Sequence, residues 1–283
     1  MDDKGKPILR DGSFTAREIQ PDEVEKVSEI MTSAFLDDRN ICWISGMVTP
    51  PLSTDSPDGR DFILFFRMFI VSTLLGNGRT VIAVKRTDDG KEDIGGVAAW
   101  YPPGKRLEVW NPRKMRKAGM YKLMKRWGVP ALLRGLHMME CAEVATKQAF
   151  KERSKIVGHT LKPLDSWYLQ AIMTTKVHEG KGLMSLLQRE GFAHAIKVAK
   201  LTSTEVKPIC LEASSERARD RYAHLVYQFA PNQPIVLGQG KVNANGLKTS
   251  SPEEATGIRL YAMINWDPDP EHGCYNPRND STK

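Results

Sequence analysis

Two glycines one residue apart stand in the run Lys176-Val177-His178-Glu179-Gly180-Lys181-Gly182, between a strand-like and a helix-like apolar segment. Glycine lets a backbone turn sharply and come close to a ligand. The first N–H groups of a following helix have no intrahelical partner, and the positive end of the helix dipole points the same way. Such a turn suits a phosphate, and Lys181 adds charge. Without a ligand, the same Gly-x-Gly is simply a tight turn. The spacing fits neither the GxxxxGK[ST] phosphate loop nor the GxGxxG dinucleotide fingerprint.

Acid–base chemistry has several candidates. Glu212 lies in the apolar run Pro208-Ile209-Cys210-Leu211-Glu212-Ala213. Burial there would raise its pKa towards the range of a general base. The alternative is a strand residue that faces outward or pairs with an Arg. Asp37, Asp38, Asp165 and His178 are further bases, with His178 also readable as a surface histidine. Gln170 cannot act as a base, but it can orient a substrate by hydrogen bonding. Ser214 or Ser215, just before Glu216, reads as a helix N-cap.

These residues need elements to position them. Alternation over 14–19 predicts a strand. Pro21 then opens a helix with Val24, Val27, Ile30, Met31 and Ala34 on one face. Residues 49–59, rich in Pro, Ser, Thr and Asp, read as a loop, and 62–75 as an apolar helix. A hairpin follows, with strands at 80–84 and 94–100 and a turn at 88–91. Residues 105–155 are helical, with Pro130 separating two helices. Strands are expected at 167–173, 208–213 and 258–264, and helices at 183–201 and 216–229. A strand, a helix and a second strand near the middle imply a parallel crossover. The expected class is α/β: a mixed central sheet with helices on both faces and a helical insertion between the third and fourth strands.

The chain has 283 residues and a net charge of +7, enough length to bury a substantial core. Cys42, Cys141, Cys210 and Cys274 stand far apart, without metal-ligand or disulfide-framework spacing, and read as free thiols with no metal. The start of the sequence has no apolar signal-peptide core. The stretch 62–75 is too short for the ~20 residues of a membrane span. A cytoplasmic protein is expected.

The turn and its surroundings resemble the GNAT acetyltransferase superfamily. There a strand leads into [Gln/Arg]-x-x-Gly-x-[Gly/Ala], which cradles the pyrophosphate of acetyl-CoA. The pattern falls on Glu179-Gly180-Lys181-Gly182-Leu183-Met184. Gly182 matches; Glu179 replaces Gln or Arg, and Met184 replaces Gly or Ala. The resemblance extends over 13–103 and 164–266, in a fungal-type variety, and implies one domain at 13–266; the polar ends at 1–12 and 267–283 read as flexible tails. It implies N-acetylation of a small-molecule amine by acetyl-CoA, through direct attack on the thioester. Ile172, Met173 and Thr174 then meet the pantetheine arm, and Ser215 takes the place of an Asn that contacts the cofactor. Tyr222 falls where a tyrosine protonates the leaving thiolate; its other reading is a core tyrosine. A changed turn also admits a repurposed site: another acyl donor, O-acylation, or decarboxylation or cyclisation.

Residues 105–155 carry fourteen Lys and Arg against four Glu, a surplus larger than the net charge of the whole chain. The insertion, about 105–163, reads as a solvated helical pair packed by its Leu and Met stripe, or as a lid over the acceptor site. Methionines there suit an adaptable apolar wall. No nucleic-acid module accompanies the charge, so nucleic acid is not expected as a partner.

Overall fold

The computed structural model describes residues 13–270. The tails expected at 1–12 and 267–283 fall outside these residues except for 267–270, where Pro268 is buried and the Asp267 amide donates to Asn265 Oδ1 at 3.2 Å.

The elements run β1 (Thr15–Glu18), α1 (Val24–Ala34), α2 (Arg39–Ser45), α3 (Pro57–Leu75), β2 (Arg79–Arg86), β3 (Glu92–Tyr101), α4 (Pro112–Ala118), α5 (Met120–Val157), β4 (Trp167–Thr174), α6 (Leu183–Leu201), β5 (Ile209–Ala213), α7 (Glu216–Ala223), β6 (Gln228–Phe229), β7 (Ile235–Leu237) and β8 (Ile258–Asn265). The sheet order is β1-β2-β3-β4-β5-β8-β6, with β7 also on β8. The β4–β5 pair is parallel, and every other pair is antiparallel. This is the expected mixed sheet, with α6 as the crossover.

Both faces are covered, because the apolar positions of the strands alternate. Phe14, Trp100, Leu169, Leu187, Phe192 and Leu211 form one core under α6 and α7. Val27, Met31, Phe62, Phe66, Ile82 and Val97 form the other, under α1 and α3. The helical segment α4–α5 lies between β3 and β4 in the chain and packs on α2, α3, β7 and β8.

Several boundaries differ from the sequence reading, each for a local reason. Helix α3 begins at Pro57, because Ser56 caps it by accepting from the Gly59 amide at 3.1 Å. Helix α2 was not expected. Asp38 caps it, accepting from the Asn40 and Ile41 amides, and Gly46 ends it in the left-handed region. In α5 the break falls at Gly128, whose φ of 74° and ψ of 175° suit glycine alone, two residues before Pro130.

Helix α7 stops at Ala223 instead of continuing to 229. The chain turns back so that Tyr227 enters the core, edge-on to Tyr222 and donating to Gln188 Oε1 at 2.8 Å. Residues 228–229 are then released to pair with β8.

Helix α6 lies very close to β3. A Cβ placed on Gly191 would sit 2.4 Å from the ring of Trp100, which is fully buried. A Gly191→Ala protein should therefore lose about 1–3 kcal/mol of stability through overpacking, although alanine favours helices. Chemical denaturation checks this; an unchanged or raised stability would contradict it.

Candidate active site

Strand β4 holds β3 along most of its length, from Tyr101↔Tyr168 to Gly96↔Thr174. Strand β5 pairs with β8 at all five of its residues. Between β4 and β5, however, the pairing is confined to Trp167↔Ile209 and Tyr168↔Cys210. From Leu169 onward the two parallel strands part. The edge of β4 that faces β5 then has no ladder partner, and a wedge opens towards the carboxyl ends of both strands. Open α/β sheets bind ligands at such carboxyl ends.

A bulge at Gln170 accompanies the parting: Trp100 pairs with Leu169, but Ala99 pairs with Ala171. The extra residue changes which face the side chains take. Leu169 packs under α6, whereas Ala171 and Met173 pack towards α1 and α3, and Ile172 again contacts the α6 side. Thr174 is half-buried at the wide end of the wedge, and Thr175 ties the strand end to β3 through its amide and the Gly95 carbonyl at 2.9 Å.

The glycine turn follows. Gly180 and Gly182 have φ of 77° and 74°, the left-handed conformation that glycine adopts without strain. Gly182 is the N-cap of α6, and no side chain caps the helix. The first-turn amides of α6, beginning with Leu183, therefore have no capping side chain and follow directly on the loop after β4, an arrangement that suits an anion. Leu183 itself is buried in the core. Glu179 is exposed, and Met184 is half-buried and packs against the α6-side core.

His178 is buried, not a surface histidine. It lies edge-on to Phe14 at 5.0 Å. Lys181 Nζ is 3.1 Å from Nδ1, and Asp93 Oδ2 is 2.8 Å from Nε2. A lysine only donates, so a neutral ring carries its proton on Nε2 and donates to Asp93. The chain Asp93–His178–Lys181 fastens the turn to β3 and restrains the lysine expected to reach a phosphate.

On the other side of the sheet is a cavity of about 730 Å³. Its floor is formed by Tyr168, Gln170, Cys210 and Glu212, the residues at the apex of the wedge. Its walls come from α3, the loop 104–110 and α5. Tyr168 donates a short hydrogen bond to Glu212 Oε2. This follows from the register: Tyr168 faces Cys210, so Glu212, two residues on, shares its face. Desolvation raises the Glu212 pKa, and the Tyr168 hydrogen bond and the charge of Arg106 oppose it. Burial, with the charge of Glu212 and its hydrogen bond, pushes Tyr168 well above the usual phenol range.

Arg106 stacks over the Tyr168 ring at 4.9 Å and donates to the carbonyls of Lys105, Ser166 and Pro163 and to Ser166 Oγ. Burial lowers its pKa, and the nearby charges, Glu212 among them, oppose this. Burial pushes the Cys210 thiol up to about 12, which keeps it protonated and denies the site a thiolate nucleophile.

The structure therefore brings Glu212 and Gln170 together and adds Tyr168 and Arg106. Sequence reasoning missed those two, since their partners are 44 and 60 residues away. Tyr222 is buried on the opposite side of β5 and feels the charge of Glu212; burial is the larger cause of its raised pKa. Ser215 caps α7, accepting from the Ala218 amide at 3.1 Å. Asp38 is occupied as the α2 cap; desolvation raises its pKa, and the Ile41 and Asn40 amides oppose this. Asp37 and Asp165 are exposed, and neither lines the cavity.

No protein-family model and no curated protein matches the chain. Solved structures do. Arylalkylamine N-acetyltransferase 2 from Aedes aegypti superposes with a TM-score of 0.53 at 16% identity, covering 89% of this chain and 98% of that one. A structure from Corynebacterium glutamicum, described as histone acetyltransferase HPA2 and related acetyltransferase, gives 0.49 at 20% identity, covering 92% and 99%. At this identity the first likeness defines the fold: the chain has the GNAT-type α/β architecture, with its sheet opened between β4 and β5.

Replacing His178 with alanine should loosen the turn and lower stability by about 1–3 kcal/mol, since it removes two part-buried hydrogen bonds and the packing on Phe14. Urea denaturation checks this. Wild-type stability would mean that the turn does not depend on the Asp93–His178–Lys181 chain.

Proposed function

We propose that the protein is an N-acetyltransferase that uses acetyl-CoA to acetylate a small-molecule amine. The observation that carries this reading is the wedge between β4 and β5, with the uncapped α6 terminus at its wide end and Glu212 at its apex. The first turn of α6, with Gly180, Lys181 and Gly182, would hold the pyrophosphate. Ile172, Met173 and Thr174 offer the free edge of β4 to the pantetheine arm. Ser215 at the head of α7 is a further contact. Acetyl-CoA supplies the activated acyl group.

The amine reaches the apex from the cavity side. Glu212, with its raised pKa, accepts the proton that the amine must lose. Tyr168 and Arg106 hold that carboxylate in place, and Gln170 orients the amine by hydrogen bonding. Tyr222, a buried phenol that stays protonated, gives its proton to the departing thiolate. Cys210 stays a thiol, which agrees with direct attack.

The reading takes 13–266 as one domain of fungal type. The free thiols Cys42, Cys141 and Cys210 suit a cytoplasmic protein, and no helix among the described residues is long and apolar enough to cross a membrane. A second reading, a GNAT-type fold turned to other chemistry, draws on Glu179, a carboxylate exposed at the turn.

Isothermal titration tests the first reading. Acetyl-CoA should bind, Glu179→Gln should tighten binding several-fold, and Gly182→Val should weaken it at least tenfold, since valine resists the left-handed conformation. No heat at millimolar acetyl-CoA would favour the second reading. In steady-state assays, Tyr222→Phe should lower kcat by about 10²-fold, in the usual range for acid catalysis, with the KM for acetyl-CoA held. An unchanged kcat would remove Tyr222 from the mechanism.

The pH profile gives a separate check. Because desolvation raises the Glu212 pKa, the acid limb of kcat/KM should lie above the ordinary carboxylate range. Tyr168→Phe removes a hydrogen bond that favours the carboxylate. The limb should then move to higher pH. A shift to lower pH, or none, would contradict the role of Glu212.

A further inference from the structure

Glu212 lines the 730 Å³ cavity, and most of the surface around that space is apolar. Its far wall is the helical segment, where Met124, Trp127, Leu132, Leu136, Met138 and Met139 line it. Ligand pockets of about 300–1,000 Å³ enclose most of a drug-sized molecule. A cavity of this size far exceeds what a small polar amine would fill. Unbranched methionines also let such a wall adapt to more than one shape.

The charges in the cavity point the same way. Three acids line it: Glu108, Glu143 and Glu212. Glu108 is paired with Lys114 at 2.8 Å, and Glu143 with Lys147 at 2.7 Å. Glu212 forms no ion pair among the described residues. Lys105 and Arg106 add positive charge near the floor. One ammonium therefore finds one carboxylate, and a second ammonium along the same molecule would find none that is unpaired. A polyamine or amino sugar fits poorly, because its further polar groups would be desolvated against methionine and leucine.

We infer that the acceptor is a lipophilic monoamine, with its single amino group at Glu212 and a long or bulky apolar body against the α5 wall. This rests on the acetyl-transfer reading for the reaction, but the cavity's preference can be read without it. The helical segment is then a specificity element. Its break at Gly128, between Trp127 and Leu132, shapes the wall.

The test is calorimetric binding of the n-alkylamines from propylamine to dodecylamine to the full chain with CoA present, followed by acetylation of the same series. Each added methylene should tighten binding about fourfold until the cavity is full, from the usual ~0.8 kcal/mol per buried CH₂. Leu136→Trp, which fills part of the cavity, should bring the plateau on at a shorter chain. Thermal melting confirms that this variant is folded, and the wild-type series stands without it. Length-dependent binding without acetylation would keep the inference and overturn the acetyl-transfer reading. Affinity that is flat with chain length, or spermidine acetylated faster than octylamine, would overturn the inference.

Discussion

The site depends on β4 and β5 being held apart by their other neighbours. Each strand satisfies its outer edge, β4 on β3 and β5 on β8, so neither needs the other beyond Tyr168↔Cys210. Unpaired backbone groups inside a protein are costly, and a sheet does not open without a reason. Here the opening faces a helix terminus on one side and a cavity on the other. The bulge at Gln170 turns the side chains so that both are served. Tyr168 and Gln170 look into the cavity, while Ile172 looks towards α6.

The electrostatics follow from that opening. Glu212 is brought into low dielectric by its strand, which raises its pKa, and its neighbours limit the cost. Tyr168 donates to it, and Arg106, clamped by four carbonyl and hydroxyl contacts, supplies an opposite charge. Burial pulls the Glu212 pKa up, and the Tyr168 hydrogen bond and the Arg106 charge pull it part of the way back.

Much of the frame was legible in the sequence, because periodicity and turn chemistry are local. The alternation over Phe14–Ile19, the helical face of Val24, Val27 and Met31, and the Gly180-Lys181-Gly182 turn each announce themselves within a few residues. The acid in the apolar run at Glu212 also read correctly as a raised pKa. The rest is less legible for two reasons. Some signals are local but short, such as the Ser56-Pro57 and Asp38 caps. Others are long-range by nature: nothing near Tyr227 says that its ring must leave a helix to reach Gln188. The partnership of Tyr168 with Glu212 exists only once the strands are in register. His178 read as exposed because its neighbours are polar, yet Phe14 and Asp93, distant in sequence, bury it.

The central claim is that acetyl-CoA occupies the wedge with its pyrophosphate on α6. Hydrogen exchange of the full chain with and without acetyl-CoA tests this most directly. The account predicts slowed exchange in two segments, the edge of β4 at 170–174 and the first turn of α6 at 183–186, with less change elsewhere. Protection confined to the lysine-rich surface groove around Lys147, Lys151 and Lys162, with the wedge unchanged, would contradict it.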